Sequence, residues 1–292
     1  MTAPLAGLRV LDLTRVIAGP VCTRFLAAYG AEVLRIDPPA FQEVAALVPE
    51  TSAGKYCASL DLASPRGREV FSGLVAEADV LVCGLRPGAL DRLGITSEDL
   101  AAINPELIVA RLNAYGWEGP WRNRRGFDSL VQMSSGIAAP PDGGRPDPLP
   151  AQALDHATGL ILAAAIGRAL ARRERAEGVS EVRCSLAGTA NLLLAHQTPA
   201  GAGAPPAEWT EADTEPVQTE WGPARRVPVP SLLACSAPHL AIPPGPLGMA
   251  TVSPLVGRLV GKVGARPPIL GGLLLLIAGL LTLMAGMHAD VA

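Results

Sequence analysis

Along the first 116 residues of the chain, two kinds of apolar pattern alternate. Short, nearly continuous apolar runs, "LRVLDLT" (Leu8–Thr14), "AEVLRIDPP", "DVLVCGL" and "ELIVARLNAYG", have the length and bounding residues of buried strands. Between them lie segments whose apolar residues recur at helical spacing. "AGPVCTRFLAAYG" reads as a turn and a helix closed by Gly30. "SPRGREVFSGLVAEA" (Ser64–Ala78) is an amphipathic helix with Ser64 as N-cap and Pro65 in its first position, and "TSEDLAAINP" is a capped helix. The first strand–helix–strand unit has the size of a crossover joining parallel strands. The alternation predicts an α/β fold with a doubly wound, mostly parallel, Rossmann-like sheet.

Beyond this region the pattern loosens. Gly119 to Pro150 is polar and rich in Pro, Gly and Arg, a loop with a short helix at "DSLVQMSSG". "LPAQALDHATGLILAAAIGRALARR" (Leu149–Arg173) carries the strongest helical pattern in the chain, with Asp155 where its N-cap is expected. "VSEVRCSL" reads as a strand and "AGTANLLLAHQ" as a helix. Thr198–Pro246 has little regular pattern and is expected to be an extended surface segment. The uncharged run Pro267–Met287 is long enough to span a bilayer and has no polar face to meet water, which favours a membrane helix over a buried one. The expected organisation is therefore a large domain over 1–197, a Pro-rich segment over 198–248 and an apolar helical tail over 249–292.

Composition narrows the function classes. The 292 residues carry a net charge of −3, with only 4% aromatic residues, so neither electrostatic attraction to nucleic acid nor a stacking surface for single strands is expected. The five cysteines are scattered and form no C-x-x-C, which points to small core residues in a reducing cytoplasm rather than disulfides or a metal site. The N-terminus lacks the pattern of a secretory signal.

Candidate chemistry lies at the ends of the strands. The first strand–helix turn, "TRVIAGPVCTRF", has Gly19 but no G-x-G-x-x-G, so it is either a plain turn or a helix N-terminus open to a phosphate-bearing ligand. "GLRPGALDRLG" offers Arg86 and Arg92, and "WRNRRGFD" offers Arg122, Arg124 and Arg125. These are solvated arginines or a site for a small polyphosphate ligand. No Ser-His-Asp order, H-E-x-x-H or P-loop is present, which leaves carboxylates as candidates for covalent or acid–base chemistry. Asp155 is the foremost, as a helix cap, as a nucleophile, or as both.

Five stretches, in order, carry a resemblance: "PLAGLRVLDLTRVIAGPVCTRFLAAYGAEVLRIDPP", "KYCASLDLASPRGREVF", "DVLVCGLRPGALDRLGI", "INPELIVARLNAYGWEGP" and "GFDSLVQMSSGIA". The chain resembles the class III coenzyme A transferases (CaiB/BaiF family) from about Pro4 to Ala195. "WGPARRVPVP" and "PPGPLG" extend the likeness to about Gly248. The resemblance implies an acyl-CoA:carboxylate CoA-transferase working through an aspartyl-CoA thioester. Acyl-CoA and a carboxylic acid would be its substrates, with no permanently bound cofactor, no metal and a homodimeric assembly. Asp155 matches the family nucleophile. Val16, Ile17 and Ala18 match the turn that lies along CoA, Leu60 a residue near the adenine, and Arg86 and Arg92 the loop at the nucleotide end. Arg125 and Phe127 match positions facing the pantetheine and thioester, and Asp128 an acidic position near the active site.

Two departures shape the expectations further. Family members carry a second, smaller domain, whereas here only residues 198–242 separate "LLLAHQ" from "PPGPLG", so the small domain is expected to be largely missing. A degenerate CoA-binding or dimerising module is therefore the alternative to an active transferase. A racemase-like activity is a second alternative, disfavoured because Phe127 stands in "GFD" where that branch has "G-H-D". The tail resembles a loop and helix of a major facilitator transporter, as if two reading frames were joined. Any membrane contact is expected through residues 269–287 alone, and the remainder is expected in the cytoplasm.

Overall fold

The computed structural model describes residues 3–41, 43–44, 47–140, 143–178, 181–196, 210–219 and 222–228. The chain divides into two units, Met1–Thr219 with Pro223–Pro243, and Glu220–Gly222 with Pro244–Ala292; of the second, only Gly222 is described. The expected membrane helix and the transporter-like tail lie outside the described residues.

Six strands form one parallel sheet: β1 (Arg9–Leu13), β2 (Glu32–Asp37), β3 (Lys55–Ser59), β4 (Val80–Cys83), β5 (Ile108–Asn113) and β6 (Val182–Ser185), in the order β3-β2-β1-β4-β5-β6. This is the expected doubly wound arrangement, with the strand order of dinucleotide-binding folds. Its two faces follow from the two-residue period of each strand. Val10, Val80, Val82, Ile108 and Ala110 pack with α1 (Ala18–Ala28) and α6 (Ala153–Glu174), where Cys22, Leu26, Leu162 and Ile166 are buried. Leu11, Leu13, Leu81 and Cys83 point the other way, onto Phe71 and Val75 of α3 (Pro65–Glu77) and Leu100 of α4 (Ser97–Ile103). A short α2 (Val48–Thr51) precedes β3. A third, smaller cluster joins Ala18, Val131 of α5 (Asp128–Ser135), Leu154, and Leu186 and Ala190 of α7 (Leu186–Ala195).

The expected caps form as chemistry dictates. Ser64 accepts the Gly67 N–H at 3.0 Å, and Thr96 makes a reciprocal capping box with Asp99. Three expectations need correction. β3 has no counterpart among the strands expected from the apolar runs. Helix α6 begins at Ala153, not Leu149: Leu149 precedes Pro150, which disfavours a helical backbone at that position, and its N–H is donated to the Gln132 side-chain oxygen at 2.8 Å. The 198–246 segment is not wholly irregular, since β7 (Glu215–Thr219) and β8 (Gly222–Arg226) pair as a two-stranded sheet. α6 is itself long and apolar enough to cross a membrane, but its buried face is part of the sheet's core.

Candidate active site

In a parallel sheet of this order, the chain turns away in opposite directions from β1 and β4, opening a crevice at their carboxyl ends. Two loops flank it: Thr14–Ile17 after β1, and Gly84–Gly94 after β4. They approach closely, with the Gly84 N–H donated to the Leu13 carbonyl at 3.4 Å.

The first loop is held in an unusual conformation. Val16 has φ of 69°, a left-handed backbone that a β-branched residue adopts only when its surroundings enforce it. From beneath, Asp12 anchors the loop. Its Oδ1 accepts the Thr14 N–H at 2.9 Å and the Thr14 hydroxyl at 2.5 Å. Its Oδ2 accepts Thr23 Oγ1 at 2.6 Å and Lys55 Nζ at 3.0 Å, and the side chains of both Asp12 and Lys55 are fully buried. Burial pushes the Asp12 carboxyl up, but the Lys55 ammonium and the two threonine hydroxyls outweigh it and hold Asp12 below the usual carboxylate range. Gly19 is needed here because a Cβ would stand 2.2 Å from that of Thr14. From the side, the Val16 N–H is donated to Glu43 Oε2 at 3.3 Å, and Glu43 is in turn held by Arg35 at 3.0 Å.

The structure places Val16 and Ile17 half-buried and Ala18 buried on one side of the crevice, with Arg86 and Arg92 exposed on the other. Neither arginine side chain makes a hydrogen bond or ion pair among the described residues, and the Arg92 guanidinium lies close over Gly88. Leu60 follows β3 on the same edge of the sheet, its N–H donated to the Asp37 carbonyl at 2.9 Å and its side chain against the α3-side core.

The remaining candidates gather where α5 meets α6. Arg125 and Phe127 are exposed just before α5, while Asp128, the first residue of α5, is buried. Asp155 is not the N-cap. That position is Gln152, whose side chain caps nothing, and Asp155 lies three residues inside the helix. The cap comes from another element: Asp128 Oδ2 accepts the Asp155 N–H at 2.8 Å. Asp128 Oδ1 also accepts from Gln132 Nε2, and Gln132 secures the approach to α6 through the Ala151 carbonyl at 3.2 Å and the Leu149 N–H. The Asp155 residue is 7% exposed, and burial, followed by the charge of Asp128, pushes its carboxyl up to about 7. His156 beside it is exposed.

Helix contact ties the two halves of the site together. A Cβ on Gly159 would stand 2.4 Å from the Ala18 carbonyl oxygen, so α6 rests directly on the start of α1. Asp155 lies four residues earlier on the same helical face, and its neighbour Leu154 packs with Ala18 in the smaller cluster. The structure thus sets α6, which carries Asp155 and is capped by Asp128, directly against the start of α1 that follows Val16 and Ile17. Arg86 and Arg92 lie on the loop after β4, and Arg125 and Phe127 are exposed just before α5. Sequence reading missed the supports: Gln132, legible only as an Asp–Gln pair at i, i+4 on α5, and Asp12, Lys55, Arg35 and Glu43, whose pairing is long-range.

The chain is 36% identical to the "probable fatty acyl-CoA transferase Rv3272" of Mycobacterium tuberculosis over 194 residues, which cover 61% of this chain and 49% of that protein. It is 37% identical to the succinyl-CoA–L-malate CoA-transferase beta subunit of Chloroflexus aurantiacus over 190 residues, 60% of this chain and 46% of that one. The chain therefore spans about half the length of the curated relatives it matches. Among solved structures, that of Rv3272 superposes with a TM-score of 0.62 at 34% identity, covering 66% of this chain and 56% of that one. A CaiB/BaiF family protein from Brucella suis gives 0.62 at 29% identity, covering 76% and 65%. Residues 5–222, which contain every element of the six-stranded sheet and all of the crevice just described, match CoA-transferase family III, and the chain belongs to that family.

Proposed function

We propose that the chain transfers coenzyme A from an acyl-CoA to a carboxylic acid, with Asp155 as the nucleophile. The observation that carries this reading is the buried Asp155 carboxyl in the first turn of α6, beside Asp128 and raised to about 7 by burial and by the Asp128 charge, so that a substantial fraction is ionised for attack near neutral pH. In this scheme the Asp155 carboxylate attacks the thioester carbonyl, the carbon–sulfur bond breaks, and a mixed anhydride and CoA thiolate result. The thiolate attacks the aspartyl carbonyl, releasing the donor acid and leaving an aspartyl-CoA thioester. The incoming carboxylate attacks that thioester to form a second mixed anhydride and free the thiolate again. Thiolate attack on the anhydride's substrate carbonyl yields the new acyl-CoA and regenerates Asp155.

The other groups take roles by position. The loop Val16–Ala18 lines the path of the CoA chain, Leu60 stands near the adenine, and Arg86 and Arg92 meet the phosphates as charge-assisted donors. Arg125 and Phe127 face the pantetheine and thioester. Asp128 fixes the helix start that carries Asp155, and its charge adds to the burial that raises the Asp155 carboxyl. The scheme uses no metal or resident cofactor, and it fits a cytoplasmic homodimer.

The pH dependence follows from the attacking form. Since only the ionised carboxylate attacks, kcat/KM for acyl-CoA should rise with pH and be half-maximal near 7. Asp128→Asn removes one of the two influences that raise Asp155, and is expected to move the midpoint down by on the order of one pH unit. A midpoint unchanged in the variant would show that Asp128 does not act on the attacking group.

The reading is tested by incubating the full chain with an unlabelled acyl-CoA and the corresponding carbon-13 carboxylic acid. Appearance of the label in the CoA thioester is expected. Binding of acyl-CoA without any label exchange would instead favour a non-catalytic CoA-binding module.

A further inference from the structure

We propose that Glu43 is a positioning residue that holds Val16 in its left-handed conformation, and that this strap sets the affinity of the first loop for coenzyme A. The inference rests on the reading of Val16–Ala18 as the loop that lies along CoA. Three observations carry it. Val16 is one of only two non-glycine residues with positive φ among the described residues, and the one at the crevice. A β-branched residue is strained in that backbone, which persists only where neighbouring contacts offset the strain. The Asp12 network fixes Thr14 but makes no bond to Val16 itself; the bond to the Val16 N–H comes from Glu43.

The strap is built to stay in place. The Glu43 side chain is 7% exposed, and the Arg35 side chain that holds it is 3% exposed. Arg35 is independently secured by Asp37 Oδ2 at 2.8 Å and the Thr51 hydroxyl at 3.0 Å. Arg15, the residue before Val16, is drawn toward the same segment, with its guanidinium 4.0 Å from the Phe41 ring centroid and 3.7 Å from Asp37. The loop is thus tied to the end of β2 and the stretch after it through two adjacent residues, Arg15 by its side chain and Val16 by its N–H. With its N–H engaged by Glu43, Val16 is fixed before any ligand arrives, and the cost of ordering the loop on binding falls.

The test uses two readouts on the full chain: hydrogen exchange of the Val16 amide, and calorimetric binding of free coenzyme A. Glu43→Ala is expected to expose the Val16 amide to exchange and to weaken CoA binding about tenfold. Glu43→Gln keeps an acceptor oxygen and should bind within about threefold of the wild type. The decisive variant is Val16→Gly combined with Glu43→Ala. Glycine takes positive φ without help, so affinity should return toward the wild-type value. General damage from an altered Arg35 environment would not be repaired by that change. Unchanged Val16 exchange in Glu43→Ala, unchanged affinity, or a double variant as weak as the single one would overturn the proposal. A wild-type chain that takes up no coenzyme A would count against the family-based reading of the loop, and the exchange of the Val16 amide would still decide the strap.

Discussion

Asp155→Ala is expected to lower CoA exchange by on the order of 10⁴-fold or more, the scale seen when a covalent nucleophile is removed, and to make the protein more stable at alkaline pH. The second half of that expectation separates it from simple misfolding. The native carboxyl titrates near 7, whereas the unfolded one titrates near its usual 3.8. Between those values the native state holds a proton that the unfolded state has released, so this group makes stability fall as pH rises from about 4 to about 7, and the loss is complete above 7. Three pKa units correspond to roughly 4 kcal/mol, an upper figure for what ionised Asp155 costs the fold. The alanine variant lacks that cost. Urea unfolding at pH 5 and pH 8 should show its advantage over the wild type growing with pH, while exchange activity is lost at both. A variant that loses activity and stability together at pH 8 would assign Asp155 a structural role instead.

Lys55→Met is expected to destabilise the fold by about 3–5 kcal/mol, the usual cost of leaving a buried charge without its partner. Against a net stability on the order of 5–15 kcal/mol, that loss brings the protein close to unfolding. The cause is specific. Asp12 lies wholly inside the sheet, and without the Lys55 ammonium its negative charge keeps only the Thr14 and Thr23 hydroxyls and the Thr14 N–H. Asp12→Asn with Lys55→Met removes both charges and keeps an amide for the hydroxyls, so the double variant should recover a large part of the loss. Denaturant unfolding of the two single variants and the double variant gives the coupling directly. Additive effects would show that the pair does not act as a unit.

How far the sequence foretold the molecule depends on the range of the forces involved. β1, β2, β4 and β5 are legible because each is a short apolar run closed by turn residues, and α3 and α4 because their caps are written within three residues of local sequence. β3 is not legible. It is an edge strand in which only Lys55 is buried and Tyr56 is 71% exposed, so it shows no apolar run. The true start of α6 is hidden for a related reason. Its cap is supplied by Asp128, twenty-seven residues away, and no local pattern announces it. Asp155 was legible as a carboxylate before a long apolar helix. Its neighbour's effect was not, since the shift toward 7 arises from burial and from an α5 carboxylate brought close only by packing. Asp12 shows the same limit. Within "LRVLDLT" it continues the two-residue alternation, and nothing nearby reveals that it faces the core with a lysine forty-three positions on as its partner. Charge pairing between distant elements is what local periodicity does not encode.

The central claim is that Asp155 forms a covalent bond to coenzyme A during turnover. The most direct measurement is peptide mass spectrometry of the full chain after incubation with an acyl-CoA, with a parallel sample quenched in hydroxylamine. A coenzyme A adduct is expected on the peptide containing Asp155, converted by hydroxylamine to the hydroxamate at Asp155 and absent from Asp155→Ala. Label exchange that proceeds with no modification at Asp155, or an adduct confined to a cysteine such as the exposed Cys57, would contradict it.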